Sequence, residues 1–268
     1  MPVNYICTTC GVQYAATDKE PERCIICEDD RQYVNWQGQT WTTLPEMQQE
    51  YRNDIQQVEP NLYQIHTTPK FGIAQKAYLL VNPSGNILWD CITLIDEDTI
   101  KFIQSLGGIQ AIALSHPHYY SSIVNWSRTF NNAPIYIHAS DKEWVTQSDN
   151  AIQFWEGKIL ELIDSISIIN CGGHFPGACV LHWPAGADGK GVVLSGDTLQ
   201  VAMDRQSVSF MYSYPNLIPL RQAEIIAIRD ALQGVNFERM YGAFEPYIKQ
   251  NARQAFDHSI VRYLQIYE

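Results

Sequence analysis

Seven cysteines and seven histidines hold most of the metal-binding potential of this 268-residue chain, and several fall at spacings that gather donors into one small volume. Cys7-Thr8-Thr9-Cys10-Gly11 and Cys24-Ile25-Ile26-Cys27 are two CxxC knuckles with thirteen residues between them. Four thiolates at this spacing can close a tetrahedral site, and Gly11 supplies the permissive backbone that a tight turn after the second sulfur needs. A segment this short cannot otherwise bury enough apolar surface to fold, so a bound ion would serve as its core. Zinc and iron both accept four thiolates, so ligand type does not separate them; a structural zinc is the expectation. The second candidate is Ser115-His116-Pro117-His118, which follows the apolar run from Ile109 to Leu114. Two imidazoles two residues apart, on a proline-stiffened loop at the end of a buried strand, can ligate one metal. Alone, a His-x-His pair is more often two loop histidines without a ligand role, so the rest of the chain has to decide.

Two further loops offer partners. His174 lies in the glycine-rich stretch Cys171-Gly172-Gly173-His174-Phe175-Pro176-Gly177, and Asp197 lies in Ser195-Gly196-Asp197-Thr198. Both follow apolar runs, so both are expected at strand ends, the usual place for a site built on sheets. Asp90, after Ile87-Leu88-Trp89, is a third polar residue at a strand exit. His66, His138, His182 and His258 sit beside apolar strands or on a helix face and read as structural histidines, His138 having some chance of reaching the site. Cys91, Cys171 and Cys179 read as buried thiols. Phe210, Met211, Tyr212 and Tyr214 either wall an apolar pocket or belong to the core.

The elements that must position these residues follow from patterning. Trp36 and Trp41 are expected to pack the cysteine segment onto its neighbour, and the polar stretch 45–60 reads as a linker or peripheral helix, which puts a domain boundary near residue 45. Strands are expected at 62–66, 77–81 and 87–90, a helix at 98–106, further strands at 135–137, 166–169, 179–183 and 192–194, and helices at 219–232 and 252–264. Ser140-Asp141-Lys142-Glu143 has the spelling of a capping box and predicts a helix start. Early strands alternate with helices and later ones do not, which predicts α/β architecture with a second, antiparallel sheet. A formal charge of −11 argues against nucleic acid or an anionic membrane surface as partner. No run is long enough to span a bilayer and no signal-peptide pattern is seen, so a cytoplasmic protein is expected.

Residues 4–40 resemble a zinc ribbon or the rubredoxin-like knuckle pair. From about residue 60 to 265 the chain resembles the metallo-beta-lactamase fold family, through an ordered series: Asp90, the His116-Pro117-His118 loop, Gly173-His174, Gly196-Asp197 and the turn Tyr241-Gly242-Ala243. The resemblance implies an αββα sandwich over 46–268 preceded by the ribbon at 1–45. It implies that His116, His118 and His174 hold one metal and that Asp197 occupies the position that bridges to a second. The family's loop normally reads His-x-His-x-Asp-His, whereas here the last two are Tyr120 and Ser121; Ala243 stands where a further histidine is expected. The second metal site therefore looks dismantled.

What remains is one divalent ion, zinc or another, on three imidazoles and Asp197. The expected function is a mononuclear metallo-hydrolase of esters, thioesters or lactones, acting on a small-molecule substrate. Asp197 would ligate or orient water, and Tyr120 or Tyr119 could donate a hydrogen bond to developing negative charge. Two alternatives stay open. One is a non-hydrolytic binding or sensing module that docks a protein partner through the ribbon; the other is electron transfer, with iron in the four-cysteine site.

Overall fold

A computed structural model describes residues 2–267, which divide into two compact units. The first runs up to Ile137 and includes Lys142–Phe154; the second comprises His138–Asp141 and the chain from Trp155 onward.

In the first unit the cysteine segment is built on β1 (Ile6–Cys7), which pairs antiparallel with β2 (Trp41–Thr42), and on the single turn α1 (Ile25–Glu28). Trp41 packs on the cysteine cluster and meets Tyr14 edge to face. Trp36 does not pack as expected: it is fully exposed. The stretch 45–60 is half as predicted. A short helix, α2 (Leu44–Glu50), is capped by Thr43, but β3 (Arg52–Glu59) follows at once and is the edge strand of a sheet. The alternation of polar residues in β3 hid it, because an edge strand buries little and lacks an apolar face.

That sheet has seven strands in sequence order: β3, β4 (Leu62–Thr68), β5 (Ala77–Leu80), β6 (Ile87–Trp89), β7 (Ala111–Ala113), β8 (Ile135–His138) and β9 (Ile152–Trp155). Pairing is antiparallel from β3 to β6 and parallel from β6 to β8. Each parallel step needs a crossover, and the helices α3 (Glu97–Ser105) and α4 (Ile123–Thr129) supply them. Asp96 caps α3 by accepting from Thr99 N at 2.8 Å. The helix predicted after Ser140 does not form. Residues Ala139–Trp144 are 3₁₀ turns kinked at Asp141, whose carboxylate accepts from Gly177 N at 2.7 Å.

The second unit carries a five-stranded sheet ordered β10 (Ile159–Ile163), β11 (Ile166–Asn170), β12 (Cys179–Trp183), β13 (Val192–Leu194) and β18 (Arg239–Tyr241). Its strands are antiparallel except for the β13–β18 pair. A short turn, α5 (Gly186–Gly189), joins β12 to β13, and between β13 and β18 run two small ribbons: β14 (Gln200–Val201) with β15 (Val208–Ser209), and β16 (Met211–Ser213) with β17 (Ile218–Pro219). The predicted helix over 219–232 begins only at Gln222, as α6 (Gln222–Ala231), since Pro219 is used in β17. This helix and α7 (Ala252–Gln265) place Ile225, Ile228, Phe256 and Ile260 in one apolar cluster with Val180, Val193 and Met240 of the sheet. No helix among the described residues is long and apolar enough to cross a membrane.

Candidate metal centres

The four cysteines of the knuckles are buried and converge. Cys7 Sγ lies 3.6 Å from Cys27 Sγ, and Cys10 Sγ lies 3.6 Å from Cys24 Sγ. A disulfide would bring the sulfurs to about 2.05 Å. Four sulfurs at about 2.3 Å from a central zinc sit about 3.8 Å apart, so the donor set fits a tetrahedral ion closely. Burial pushes the Cys10 thiol well above its ordinary range, while hydrogen bonds from Cys10, Cys24 and Cys27 hold Cys7 below it. A cation bound at this cluster would favour the thiolate form of all four sulfurs. Gln39 Nε2 also donates to Cys7 Sγ at 3.1 Å, a contact of the kind that steadies a ligating sulfur.

The histidine pair is set up by the end of β7. Ser115 N donates to the Asp90 carboxylate at 2.7 Å, and Asp90, at φ +58, turns the chain out of β6 to reach it. His116 is extended, and Pro117–Tyr119 form one 3₁₀ turn that brings the His118 ring to 4.9 Å from the His116 ring. Ser115 Oγ is 2.8 Å from His116 Nδ1, and the Tyr119 ring stands edge-on to His116 at 4.3 Å. Both histidines are buried.

In the second unit, Gly172 and Gly173 both have positive φ, and they carry the chain from β11 into His174. A Cβ on Gly173 would lie 2.8 Å from Leu220 Cδ1 and 3.0 Å from Ile228 Cδ1, so glycine there serves close packing as well as backbone freedom. His174 Nδ1 is 3.1 Å from the Met211 carbonyl oxygen; it donates there, so Nε2 is the atom this ring would offer a metal. Asp197 follows β13 on a loop pinned by Ser195 Oγ donating to Leu199 O at 2.6 Å and Thr198 Oγ1 donating to Cys179 O at 3.2 Å. Tyr214 OH donates to the Asp197 carbonyl oxygen at 3.0 Å; burial, and then the Asp197 charge, push that phenol well up.

His116, His118, His174 and Asp197 each offer one ligand atom, and these atoms lie within 4.8 Å of one another. Three imidazoles and a carboxylate suit a divalent ion of the zinc type. Among the described residues, this group and the four cysteines are the two sets of three or more such ligands so gathered. Three of the other histidines are engaged elsewhere. His138 Nε2 is 3.1 Å from the Gly157 carbonyl oxygen with its ring against Trp155, His182 Nε2 is 2.9 Å from the Asn236 carbonyl oxygen, and His66 faces Asp54. Cys91, Cys171 and Cys179 are buried thiols, Cys171 pushed up to about 12 by burial.

At the departures, Ser121 Oγ donates to Cys91 O at 3.2 Å and accepts from Gln75 Nε2 at 2.9 Å, so it is committed to the scaffold. Tyr120 is 3% exposed in the first unit's apolar cluster, and Ala243 is buried with no donor to offer. Phe210 is core, packed on Phe256 and Tyr263, whereas the Tyr214 ring lies 5.7 Å from His174. The supporting roles of Ser115 and of the Met211 carbonyl are not evident from the sequence. A serine directly before the first histidine was a visible signal; a backbone carbonyl leaves none.

No family model matches the sequence. The chain is 50% identical over 262 residues to the "Uncharacterized protein YmaE" of Bacillus subtilis (strain 168), covering 97% of this chain and 95% of that one. Among solved structures it is similar to DIM-1 metallo-beta-lactamase at a TM-score of 0.59, with 14% identity over 78% of this chain and 96% of that one. The B3 metallo-beta-lactamase BLEG-1 gives 0.53, with 19% identity over 76% and 99%. MEM-A1, a subclass B3 metallo-beta-lactamase from a soil metagenome library, gives 0.52, with 16% identity over 79% and 94%. The chain therefore belongs to the family of YmaE, and its fold is that of the metallo-beta-lactamases.

Proposed function

We propose that this protein is a metal-dependent hydrolase working with a single divalent ion, zinc being the best match to the donors, on a small-molecule ester, thioester or lactone. The observation that carries the reading is the convergence of four buried ligand atoms from His116, His118, His174 and Asp197 within 4.8 Å. The absence of a further three-ligand group among the described residues, with Ser121 and Ala243 where ligands are expected, supports one ion rather than two. A divalent ion bound there supplies Lewis acidity and activates water for attack on a carbonyl. Around it, His116, His118 and His174 present imidazole lone pairs, their far nitrogens fixed in two cases by Ser115 and Met211. The Asp197 carboxylate would either complete the donor set or, with the ion held by the three imidazoles and one position left open, orient the attacking water and accept its proton. Tyr120 stays in the proposal as a hydrogen-bond donor to developing negative charge, although its place in the apolar cluster supports a packing role as well.

We further assign a structural zinc to the four cysteines, a ribbon domain at 1–45 with the hydrolase domain at 46–268, and a cytoplasmic location, where reduced thiolates persist. Metal analysis of the untreated protein tests the whole reading. One equivalent at the cysteines and one lost from His118→Ala, together with hydrolysis of a member of an ester, thioester and lactone panel that this variant abolishes, is expected. Two equivalents outside the cysteines, or full metal retention in a His116→Ala/His118→Ala variant, refutes it. The near-complete burial of the four ligands favours a binding or sensing module as the second reading, which predicts metal at the site and no turnover on the panel. Iron at the cysteines would be seen as colour in the purified protein.

A further inference from the structure

The segment that closes the four-cysteine site is bound directly to the chain that follows His118. Three residues after Cys10, Gln13 N donates to the Ser121 carbonyl oxygen at 3.0 Å. Gly11 O accepts from Thr93 Oγ1 at 2.8 Å, and Thr93 O in turn accepts from Ser122 Oγ at 2.7 Å. Ile92 O, the neighbouring carbonyl, accepts from Trp126 Nε1 of α4 at 2.8 Å. Residues 91–93 are thus clasped between the knuckle on one side and the 121–126 stretch on the other. Thr146 completes the clasp: its Oγ1 donates to Gln13 O at 2.7 Å. The approach is too close for side chains. A Cβ on Gly11 would lie 2.5 Å from Thr93 Oγ1, and one on Gly72 would lie 3.2 Å from the Cys10 carbonyl carbon.

This arrangement ties the ribbon to the chain beyond it. Inside the ribbon, Gly11 N bonds to Cys7 O and Cys7 N to Val12 O, and these shape the knuckle itself. The outward bonds from Gly11 and Gln13 instead fix where Ser121 and Ser122 sit, at the far end of the turn that carries His116 and His118. Asp90 fixes its near end through Ser115. A loop held at both ends keeps its two imidazoles in register, as one ion bound by both would require. We propose that the four-cysteine ribbon is a positioning device for the His116–His118 turn, so that closure of the thiolate site sets the metal affinity of the histidine site. This inference rests on the reading of both clusters as metal sites.

The test uses the full chain with cobalt(II) as probe, since thiolate-bound and imidazole-bound cobalt absorb in separate regions. The variant is Thr93→Val/Thr146→Val, which removes two side-chain donors to the ribbon and touches no ligand. Cobalt is expected to fill the cysteines normally while its affinity at the histidine site falls about tenfold, with an altered d–d band shape. Simple loss of folded protein would lower amplitude at constant shape. Cys24→Ser, which opens the ribbon, should weaken the histidine site at least as much in protein that keeps its far-ultraviolet dichroism. Unchanged histidine-site affinity and band shape in the valine pair overturns the proposal even if Cys24→Ser fails to fold. Failure of the wild-type protein to bind cobalt outside the cysteines instead overturns the reading of the histidine site, and this inference with it.

Discussion

Ser115→Ala isolates the support of a single ligand. In the wild-type protein Ser115 Oγ sits 2.8 Å from His116 Nδ1, and both residues are 1% exposed. When Nε2 binds a metal, the ring proton must reside on Nδ1 and point at the serine oxygen. Removing that oxygen strands a buried N–H in the metal-bound form only, at about 1–3 kcal/mol. Loss of an outer partner of a metal-bound histidine typically lowers affinity by about 10–100-fold, or about 1.4–2.7 kcal/mol, which agrees with that figure. In the metal-free form the imidazole can move its proton to the other nitrogen, so the variant forfeits only the net value of one hydrogen bond, about 0.5–1.5 kcal/mol. Competition with a chromophoric chelator measures the first quantity, and urea unfolding of the metal-free protein the second. An affinity within twofold of wild type would show that Nδ1 is not the supported nitrogen, and the assignment of Nε2 as ligand would fall.

Asp90 anchors the same loop from β6. Asp90→Ala removes the acceptor of Ser115 N and forces alanine into φ +58, for a loss of about 3–5 kcal/mol in urea unfolding, whereas Asp90→Asn keeps an oxygen and tolerates the conformation, losing about 1 kcal/mol. His182 gives a pH dependence. Burial holds its imidazole below the ordinary value of 6.5, so the unfolded chain takes up the proton first as pH falls. Its contribution to stability is therefore complete above that value and is lost as pH drops from there toward the folded value; His182→Gln should flatten the stability profile in that window.

The gathering of the four cysteines was legible because it depends on spacing alone: two knuckles state outright which thiols can meet. The histidine site was legible only through order, since His116, His174 and Asp197 lie far apart in the chain and each alone has a bland explanation. The elements that escaped reading share a cause. β3, with its run of Asn53, Asp54, Gln56 and Gln57, is an edge strand without an apolar face, and β10 alternates too weakly to declare itself. The Ser140-Asp141-Lys142-Glu143 spelling misled because the chain kinks at Asp141, whose carboxylate is held by Gly177 N, and a tertiary partner outweighs local propensity. Trp36 shows the opposite failure, a large apolar ring that sequence habit buries and the fold leaves in water.

The bond from Thr93 to Gly11 spans 82 residues, and that from Gln13 to Ser121 spans more. During synthesis the four thiols are complete long before either partner has been made. If the four cysteines take up an ion at that stage, the finished knuckle would serve as a template onto which the later 91–93 and 121–126 segments close. Loading of the two sites would then be ordered in time, with the cysteines first, and scarcity of metal early in synthesis would be felt downstream as a histidine loop assembled without its abutment.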